Sequence, residues 1–591
     1  MNKCTIIYAT ETGTSQEVAE KLSRDLIRYQ MKPQIHDIQN YDKMKLPMER
    51  LVVFVLSTTG HGDVPDTMKP FWNFLLIKSL PSNSLMNLKF AVLGMGDSSY
   101  TTYNFAAKKL FTRLVSLGAK PLLRRGDADD QHDLGYDYEV EKWTSELIQS
   151  LLTIYPLPPN LIVDDNNLVL PNPKFKLNYS NQQEKDFNNN NFITNNYEKT
   201  IVQCNKRITD SEWEQDIRHI ELKLDKLNYK SGDVAYILPT NPISYVDEFI
   251  NLLQLNRNQI IESIIPLDLD LNQKPNVIVP TSVGELVYRY FDIMGSPRRY
   301  FFQLLSHFVS DENEKERLLF FSSSEGQDDL RTYNQKEKRN YIDVLKDFPS
   351  ANIPLEYLFD LIPPIKPRPF SISSSSSLYP KTISITAGIH TFKAPLRRIK
   401  RTGLCSEYFS SLQEGSIVGV FIKESGAQLP PSPQTPIIMV GPGTGCAMFR
   451  SFIQERSYVQ QNQGSDKLGK ALFYFGCRHS KKDYIYQSEF EQYEKDGVIS
   501  KLCVAFSRDQ EKKNYVYHLI NQDSKEIWDI INNQKGYFYI SGSSGRMPKD
   551  VKASLLSIIK ENLGIVDGDD DKVNQYFEQL EIEKRFITET W

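Results

Sequence analysis

The stretch from Arg368 to Ser374 reads RPFSISS and places an arginine, an aromatic ring and a small hydroxyl close together. An arginine can pair with a pyrophosphate, an aromatic ring can lie on a planar heterocycle, and a hydroxyl can sit beside a reacting atom without blocking it. A plain strand after a proline turn is the alternative, and the stretch alone does not decide between them. The segments around it must supply the context.

The chain opens with a strand, a hydroxyl-rich loop and a helix. An apolar run from Thr5 to Ala9 leads into TETGTS at Thr10 to Ser15, and apolar residues at helical spacing follow. The N–H groups at a helix start bind anions, and the loop hydroxyls add donors. Because the loop has no lysine, it differs from a nucleotide-hydrolysing P-loop. It predicts a phosphate site, with a threonine-rich helix cap as the alternative.

Two further loops follow buried strand-like runs. The run Leu51 to Ser57 leads into TTGHGD, and the run Lys89 to Gly94 leads into MGDSSYTTYN. Open α/β sheets bind ligands at the carboxyl ends of their strands. Three such loops resemble the flavodoxin family, which implies an FMN phosphate at the first loop and Tyr100 stacked on the isoalloxazine ring. The residues implied for FMN are Thr10, Glu11, Thr12, Gly13, Thr14, Ser15, Ser57, Thr58, Thr59, Gly60, Met95, Gly96, Asp97, Ser98, Ser99, Tyr100, Asn104 and Asp130.

Many reductases that contain a flavodoxin-like unit carry a tyrosine before the glycine of the second loop, and this chain has Thr59 at that position. The second face of the ring is therefore expected to be covered differently. An acidic cluster follows at Asp127, Asp129, Asp130 and Asp133. It predicts either a solvated loop or a docking patch for a basic partner surface.

In the middle of the chain, the amino-acid composition changes first and the secondary-structure pattern changes next. Residues 1–153 are predicted to form the first domain, and an Asn-rich stretch in residues 154–198 predicts a linker. Short strand patterns with turn signals then begin near Ile201, and helical patterns interrupt them over about 240–360. Residues 199–430 are therefore predicted to form a barrel with a helical insert, although a separate helical domain is an alternative.

After the helical patterns, RPFSISS resumes the strands, and Gly403 to Ser406 form a second glycine and hydroxyl helix start. These motifs resemble the FAD-binding signature of the ferredoxin–NADP reductase family. The resemblance implies that Arg368 pairs with the FAD pyrophosphate, that Phe370 packs on the flavin and that Ser371 lies near the reactive flavin nitrogen. The residues implied for FAD are Arg339, Arg368, Pro369, Phe370, Ser371, Gly403, Leu404, Cys405, Ser406 and Trp591.

Residues 431–591 repeat a strand, loop and helix order. IIMV at Ile437 to Val440 runs into GPGTG, and three further strands end in glycine, cysteine, serine or arginine, which favours a doubly wound nucleotide domain. Hydroxyls and cations between Ser507 and Tyr515 suit a 2′-phosphate, so NADPH is predicted rather than NADH. The residues implied for NADPH are Thr444, Ser507, Arg508, Lys513, Asn514, Tyr515, Val516, Tyr517 and Asp550.

The chain ends in FITETW. A terminal tryptophan commonly just packs on a surface, but in the reductase family an aromatic residue at this place stacks on FAD and moves aside for nicotinamide. Trp591 fits that role, and Glu589 fits the family's carboxylate near the hydride path. Together with Ser371, these residues are the implied catalytic group. Ser541 stands where some relatives carry a cysteine.

Composition sets outer limits on function. A chain of 591 residues needs several cores. The formal net charge of -4 gives no basic excess for nucleic acid. Six cysteines without a CxxC pair suggest neither a zinc site nor disulfides. No apolar run is long enough to cross a bilayer and no basic leader precedes the first strand, so a cytoplasmic protein without a membrane partner is expected.

The three units in this order resemble the diflavin reductase family, which implies a multidomain α/β plus β-barrel fold and electron flow from NADPH through FAD and FMN. Strings such as GPGTGCAMFR and FITETW are most similar to the branch that serves cytosolic iron–sulfur protein assembly. That branch implies the Fe–S protein anamorsin as acceptor. A soluble reductase of a cytochrome or of sulfite reductase is one alternative. A flavin-bound scaffold without electron transfer is another.

Overall fold

Three large sheets of different topology organise the chain. The computed structural model describes residues 3–10, 13–59, 62–98, 102–133, 135–158, 170–180, 197–225, 228–267, 275–323, 325–565 and 570–590. Among these residues, no helix is long and apolar enough to span a membrane. The predicted combination of α/β units with a β-barrel is confirmed.

The first sheet is parallel, with the strand order β2-β1-β3-β4-β5 and with β6 also paired to β4. Its strands are β1 Lys3–Ala9, β2 Lys32–Asp37, β3 Leu51–Ser57, β4 Lys89–Gly96, β5 Lys120–Pro121 and β6 Gly126–Asp129. Its helices are α1 Thr14–Arg28, α2 Lys69–Leu75, α3 Phe105–Ser116 and α4 Asp137–Ile154. Alternate residues of one strand pack into separate cores, as Phe54 and Val53 do. Helices therefore cover both faces, which is why the strands are apolar throughout.

The second sheet is antiparallel and closes on itself. Its order is β13-β10-β17-β8-β9-β14, and a bridge between Ile372 and Ile385 joins its two ends into a barrel. Its strands are β8 Glu198–Arg207, β9 Asp216–Lys223, β10 Val234–Leu238, β13 Arg368–Ser371, β14 Thr382–Ile389 and β17 Ile417–Lys423. A hairpin of β15 Thr391–Lys393 and β16 Lys400–Thr402 precedes helix α12 Leu404–Ser411.

A helical insert separates β10 from β13. Its helices are α5 Ile243–Leu252, α6 Val283–Arg289, α7 Arg299–Leu305, α8 Glu312–Ser322, α9 Gln327–Leu330, α10 Tyr341–Asp347 and α11 Leu358–Leu361. A small antiparallel sheet joins two strands of the insert, β11 Ile260–Pro266 and β12 Thr281–Ser282, to β7 Phe175–Tyr179, which precedes the barrel in the chain. Strand β7 lies within the residues 154–198 predicted as linker, and it pairs with β11 about 85 positions further along the chain.

The third sheet is parallel, with the order β20-β19-β18-β21-β22 that is typical of a doubly wound domain. Its strands are β18 Ile437–Val440, β19 Ala471–Cys477, β20 Lys501–Phe506, β21 Tyr537–Gly542 and β22 Phe586–Thr590. Its helices are α13 Cys446–Gln463, α14 Gln487–Lys495, α15 Val516–Gln522, α16 Ser524–Trp528, α17 Arg546–Asn562 and α18 Asp570–Ile582. Two separate cores again lie on the two faces of the sheet.

The first unit packs against the insert through charged groups. Arg299, at the start of α7, forms a buried ion pair with Asp137 of α4. The Tyr300 N–H donates to Glu17 of α1 at 3.3 Å, and the guanidinium of Arg24 lies 3.3 Å from the centre of the Tyr300 ring. Helix α7 is therefore anchored on the same helix that follows the predicted phosphate loop.

Candidate functional site

The loop before α1 is shaped to receive an anion. Gly13 is the N-cap of α1 with φ 95°, and its N–H donates to Thr10 Oγ1 at 2.8 Å. Ser15 is fully buried, and its hydroxyl has no hydrogen-bond partner among the described residues. A buried hydroxyl without a described partner, next to the N–H groups of a helix start, fits a bound phosphate.

The second and third loops meet the first at one sheet edge, because β1, β3 and β4 are neighbours and parallel. Thr59 is held by local hydrogen bonds, because its N–H donates to Asp63 O at 3.0 Å and its hydroxyl lies 3.4 Å from the same oxygen. The Met95 side chain packs in the core. Asn104 is fully buried, donates to Ala128 O at 3.1 Å and keeps its amide oxygen without a described partner. This edge can bind a polar planar group.

The acidic cluster divides into structural and exposed members. Asp127 pairs with Arg125 at 2.8 Å, and Asp129 accepts the Ser98 N–H at 2.8 Å. Asp130 and Asp133 are exposed. Partial loss of solvent around its carboxyl group and the nearby Asp97 raise the pKa of Asp130, while its N–H donates to Gly96 O at 2.9 Å. Two of the four carboxylates thus order the loops, and two remain on the surface.

Strand β13 and helix α12 form the second site. Gly403 is the N-cap of α12, and a Cβ added there would meet only Ser406 Oγ, 3.9 Å away, among the described atoms. Ser406 Oγ accepts the His390 N–H at 2.9 Å, which fixes the start of the helix. Burial raises the pKa of Cys405 to about 12, and the guanidinium of Arg368 opposes that rise. The charge of Arg368 therefore acts on the start of this helix, whose N–H groups also attract an anion.

Phe370 packs edge-on against Phe409 of α12, with ring centres 5.0 Å apart. It is half-buried, as are Arg368 and Ser371, while Pro369 is exposed. One surface of the ring is held by the barrel and the remainder faces outward. The strand thus presents the arginine, the ring and the hydroxyl that a pyrophosphate and a flat heterocycle would need.

Arg339 is engaged within the insert. Its Nη1 lies 2.6 Å from Asp347 Oδ2, and its guanidinium lies 4.2 Å from the centre of the Tyr333 ring. Its neighbours tie the insert to the hairpin before α12, because Glu337 accepts the Arg397 N–H at 3.0 Å and Asp343 pairs with Arg401. The structure brings the segment around Arg339 to the second site.

The glycine loop after β18 is packed tightly on one side and open on the other. A Cβ on Gly445 would lie 2.1 Å from Ser541 O, so only glycine lets the loop approach β21. Gly443 has φ 58°, and a Cβ there would meet no described atom within 4 Å. The Cγ2 atom of the neighbouring Thr444 lies 3.9 Å from the position that a Cβ on Gly388 of the barrel would occupy. The loop leaves room for a phosphate beside the barrel.

The carboxyl ends of β19 and β20 carry a pair of arginines. The Arg508 N–H donates to Arg478 O at 2.8 Å, and both guanidiniums contact Glu214 Oε1, at 3.2 Å for Arg508 and 2.5 Å for Arg478. A carboxylate already occupies this pair, so the pair suits an anion. Sequence reasoning missed Arg478, although it directly follows a strand that neighbours the one before Ser507.

The other predicted residues of this region surround the start of α15. Lys513 and Tyr515 are exposed, and the rings of Tyr515 and Tyr517 stack with centres 5.8 Å apart. Val516 is buried in the core, so its side chain faces away from solvent. Asp550 lies apart on α17, where it pairs with Arg546 at 3.7 Å.

Ser541 and Glu589 are direct neighbours across the parallel pair β21 and β22. Ser541 is fully buried, and its hydroxyl has no partner among the described residues. The backbone of Ser541 also packs against Gly445 of the glycine loop, so the residue that carries this unpaired hydroxyl adjoins that loop.

A network of polar contacts joins the two nucleotide units. Arg450 of α13 is buried, donates to Ser373 O at 2.8 Å and pairs with Glu489 of α14 at 2.8 Å. Glu455 accepts from Ser377 Oγ at 2.6 Å. The serines after β13 are thereby bonded to the helix after the glycine loop, which fixes the two candidate sites relative to each other. Sequence reasoning missed Arg450.

Six predicted site residues lie outside the described residues. They are Glu11, Thr12, Gly60, Ser99, Tyr100 and Trp591.

Comparison with known proteins covers all three units. The chain matches the flavodoxin family over residues 6–143, the FAD binding domain family over 190–408 and the oxidoreductase NAD-binding domain family over 439–553. A protein of Dictyostelium discoideum called NADPH-dependent diflavin oxidoreductase 1 is 62% identical over 630 residues, covering 100% of both chains. Proteins of the same name are 38% identical in Xenopus laevis, covering 99% of both chains, and 36% identical in Arabidopsis thaliana, covering 100% of this chain and 99% of the relative.

Proposed function

We propose that this chain, which belongs to the family of NADPH-dependent diflavin oxidoreductases, delivers single electrons to an anamorsin-type Fe–S protein in cytosolic iron–sulfur protein assembly. As a member of this family, the chain is an oxidoreductase that uses the cofactors FMN, FAD and NADPH and passes electrons from NADPH through FAD to FMN. The acceptor, the cellular role and the cytoplasmic location are the proposal.

The need for two flavins follows from the acceptor's chemistry. NADPH supplies a hydride, FAD takes the electron pair and FMN releases electrons singly, as a one-electron acceptor requires. The chain's own residues hold these groups in place. We assign the FMN phosphate to the loop Thr10 to Ser15, where the buried Ser15 hydroxyl has no described partner.

We assign the FAD pyrophosphate to Arg368 and the start of α12, with Phe370 against the ring and Ser371 as a hydrogen-bond donor near the reacting nitrogen. Arg508 and Arg478 are assigned to the 2′-phosphate, which would replace Glu214 between them. Such a cation pair distinguishes NADPH from NADH. Arg339, held on Asp347, is assigned to the adenine end of FAD.

Glu589 and Ser541 are assigned to the nicotinamide end. Their register across β21 and β22 puts a carboxylate next to a buried hydroxyl. A carboxylate there would stabilise the positive charge that nicotinamide gains on losing hydride. Trp591 follows this strand, and we propose that it covers the flavin until nicotinamide displaces it.

The acceptor surface is proposed at the exposed edge of the first unit. Asp130 and Asp133 are exposed beside the loops assigned to FMN. Exposed carboxylates steer a partner with a basic patch and make association depend on ionic strength. A flavin-bound scaffold without electron transfer is not favoured, since the family is one of oxidoreductases.

The acceptor is tested by mixing the NADPH-reduced protein with purified acceptors in a stopped-flow spectrometer. An anamorsin-type Fe–S protein is expected to be reduced at least about ten times faster than a microsomal cytochrome or a sulfite reductase haemoprotein, a margin of about 1.4 kcal/mol in activation free energy. Boiled enzyme and omission of NADPH serve as controls. Equal or faster reduction of the cytochrome or the haemoprotein would replace the proposed acceptor with that protein.

A further inference from the structure

Arg298 lies on the phosphate loop of a different unit. It is the residue before α7 in the insert, yet its Nη2 and Nη1 atoms lie 2.5 and 2.9 Å from the position that a Cβ on Gly13 would occupy. Gly13 therefore has two structural roles. Its φ of 95° forms the cap of α1, and its missing side chain admits a guanidinium from the insert.

The neighbours of Arg298 hold it in this position. Arg299 is buried in an ion pair with Asp137, and Tyr300 both donates its N–H to Glu17 and lies under Arg24. The backbone around Arg298 is thus fixed on α1 and α4 from three sides. The guanidinium sits above the loop as a consequence of this packing.

The charges around the loop favour an anion richer in charge than a carboxylate. Glu17 Oε2 lies 3.6 Å from Arg298 Nη1, so one carboxylate already shares this cation. Burial raises the pKa of Glu17, which Arg298 partly offsets. A phosphate monoester carries about 1.5 to 2 negative charges at neutral pH and has three acceptor oxygens. It would compete well with Glu17 for the guanidinium.

We propose that Arg298 contacts the FMN phosphate, so that the phosphate site consists of Thr10, Gly13 and Ser15 from the first unit and a guanidinium from the insert. The inference rests on the assignment of the FMN phosphate to the loop Thr10 to Ser15. It adds a binding residue from outside the flavodoxin unit. The consequence is linkage: FMN binds more tightly when the first unit is packed on α7, and bound FMN favours that packing.

The test compares FMN with riboflavin, which has the same ring and no phosphate. Full-length protein stripped of FMN is titrated with each flavin, and the dissociation constants are read from quenching of flavin fluorescence. Arg298→Gln is expected to weaken FMN about tenfold and to leave riboflavin unchanged, because one charged contact to phosphate is lost. Arg298→Lys is expected to fall between the two, since it keeps the charge without the fork of donors.

Lys346→Gln is the matched control, because it removes an exposed cation of the same insert that pairs with Glu248. It should leave both dissociation constants unchanged, and retained FAD shows that each variant is folded. An unchanged FMN constant in Arg298→Gln, or an equal loss for both flavins, would overturn the role of Arg298. If the unaltered protein binds riboflavin as tightly as FMN, the phosphate assignment itself fails and the proposal falls with it.

Discussion

Replacing Arg368 with alanine is expected to weaken FAD binding by roughly 30-fold or more, equivalent to about 2 kcal/mol. Arg368 sits at the start of β13, its Nη1 donates to Lys366 O at 2.7 Å, and its charge reaches Cys405 at the start of α12. In the alanine variant, a pyrophosphate bound between β13 and α12 would lose the one arginine that β13 provides. The helix N-terminus would remain as its principal electrostatic partner.

The loss is measured as FAD retained after gel filtration and as a dissociation constant on adding FAD back. Arg368→Lys should recover part of the affinity, because an ammonium keeps the charge but not the paired donors. Arg257→Ala is the control, since Arg257 pairs with Asp247 on the insert. FMN content should stay constant in every variant. Full FAD retention in Arg368→Ala would refute the pyrophosphate assignment.

Replacing Ser371 with alanine is expected to slow reduction of FAD by NADPH about 100-fold, with little change in FAD content. Ser371 ends β13 and is half-buried. The barrel closes through Ile372, and Arg450 holds the backbone of Ser373, so this strand end is positioned from both sides. A hydroxyl on a backbone fixed in this way is expected to donate to the flavin nitrogen as charge develops there, with little rearrangement of the strand.

The rate is followed by flavin absorbance in a stopped-flow spectrometer at saturating NADPH, and again with NADPH deuterated at the transferred position. A larger isotope effect in Ser371→Ala would show that hydride transfer itself has slowed. Ser411→Ala is the control, because Ser411 is an exposed serine at the end of α12 that donates to Tyr408 O at 2.7 Å. An unaltered reduction rate in Ser371→Ala would remove this residue from the hydride step.

Local patterns were sufficient for the three units and for the loops at their strand ends. The loops at Thr10 and at Gly441 each follow a buried strand and precede a helix. The apolar run of the strand and the helical spacing of apolar residues both occur in residues adjacent to the loop, so the sequence alone predicts them. The barrel with its insert was also predictable, because the strand patterns stop near Leu238 and resume at Arg368. The family, its cofactors and the fold class are confirmed.

Contacts between segments that are distant in the chain could not be predicted from the sequence. Strand β7 lies in a stretch of low hydrophobicity, and it is a strand only because β11 supplies its partner. The pattern YKSGDVAYILPTN at Tyr229 to Asn241 is typical of a strand, a Gly-Asp turn and a second strand, but only β10 forms there. Arg298 and Arg450 each contact a residue of a neighbouring unit, Gly13 and Ser373 respectively. The spacing of the surrounding residues does not identify an arginine with such a contact. Their roles depend on packing between domains, which periodicity does not encode.

Three sites in one chain act in series, with FMN as the exit. The most direct measurement removes FMN from the full-length protein and follows two reactions with NADPH in a stopped-flow spectrometer. We expect that FAD is still reduced at the unaltered rate, that transfer to the proposed anamorsin-type Fe–S protein is lost, and that added FMN restores it. Transfer to the Fe–S protein at the full rate without FMN would show that FMN is not the exit.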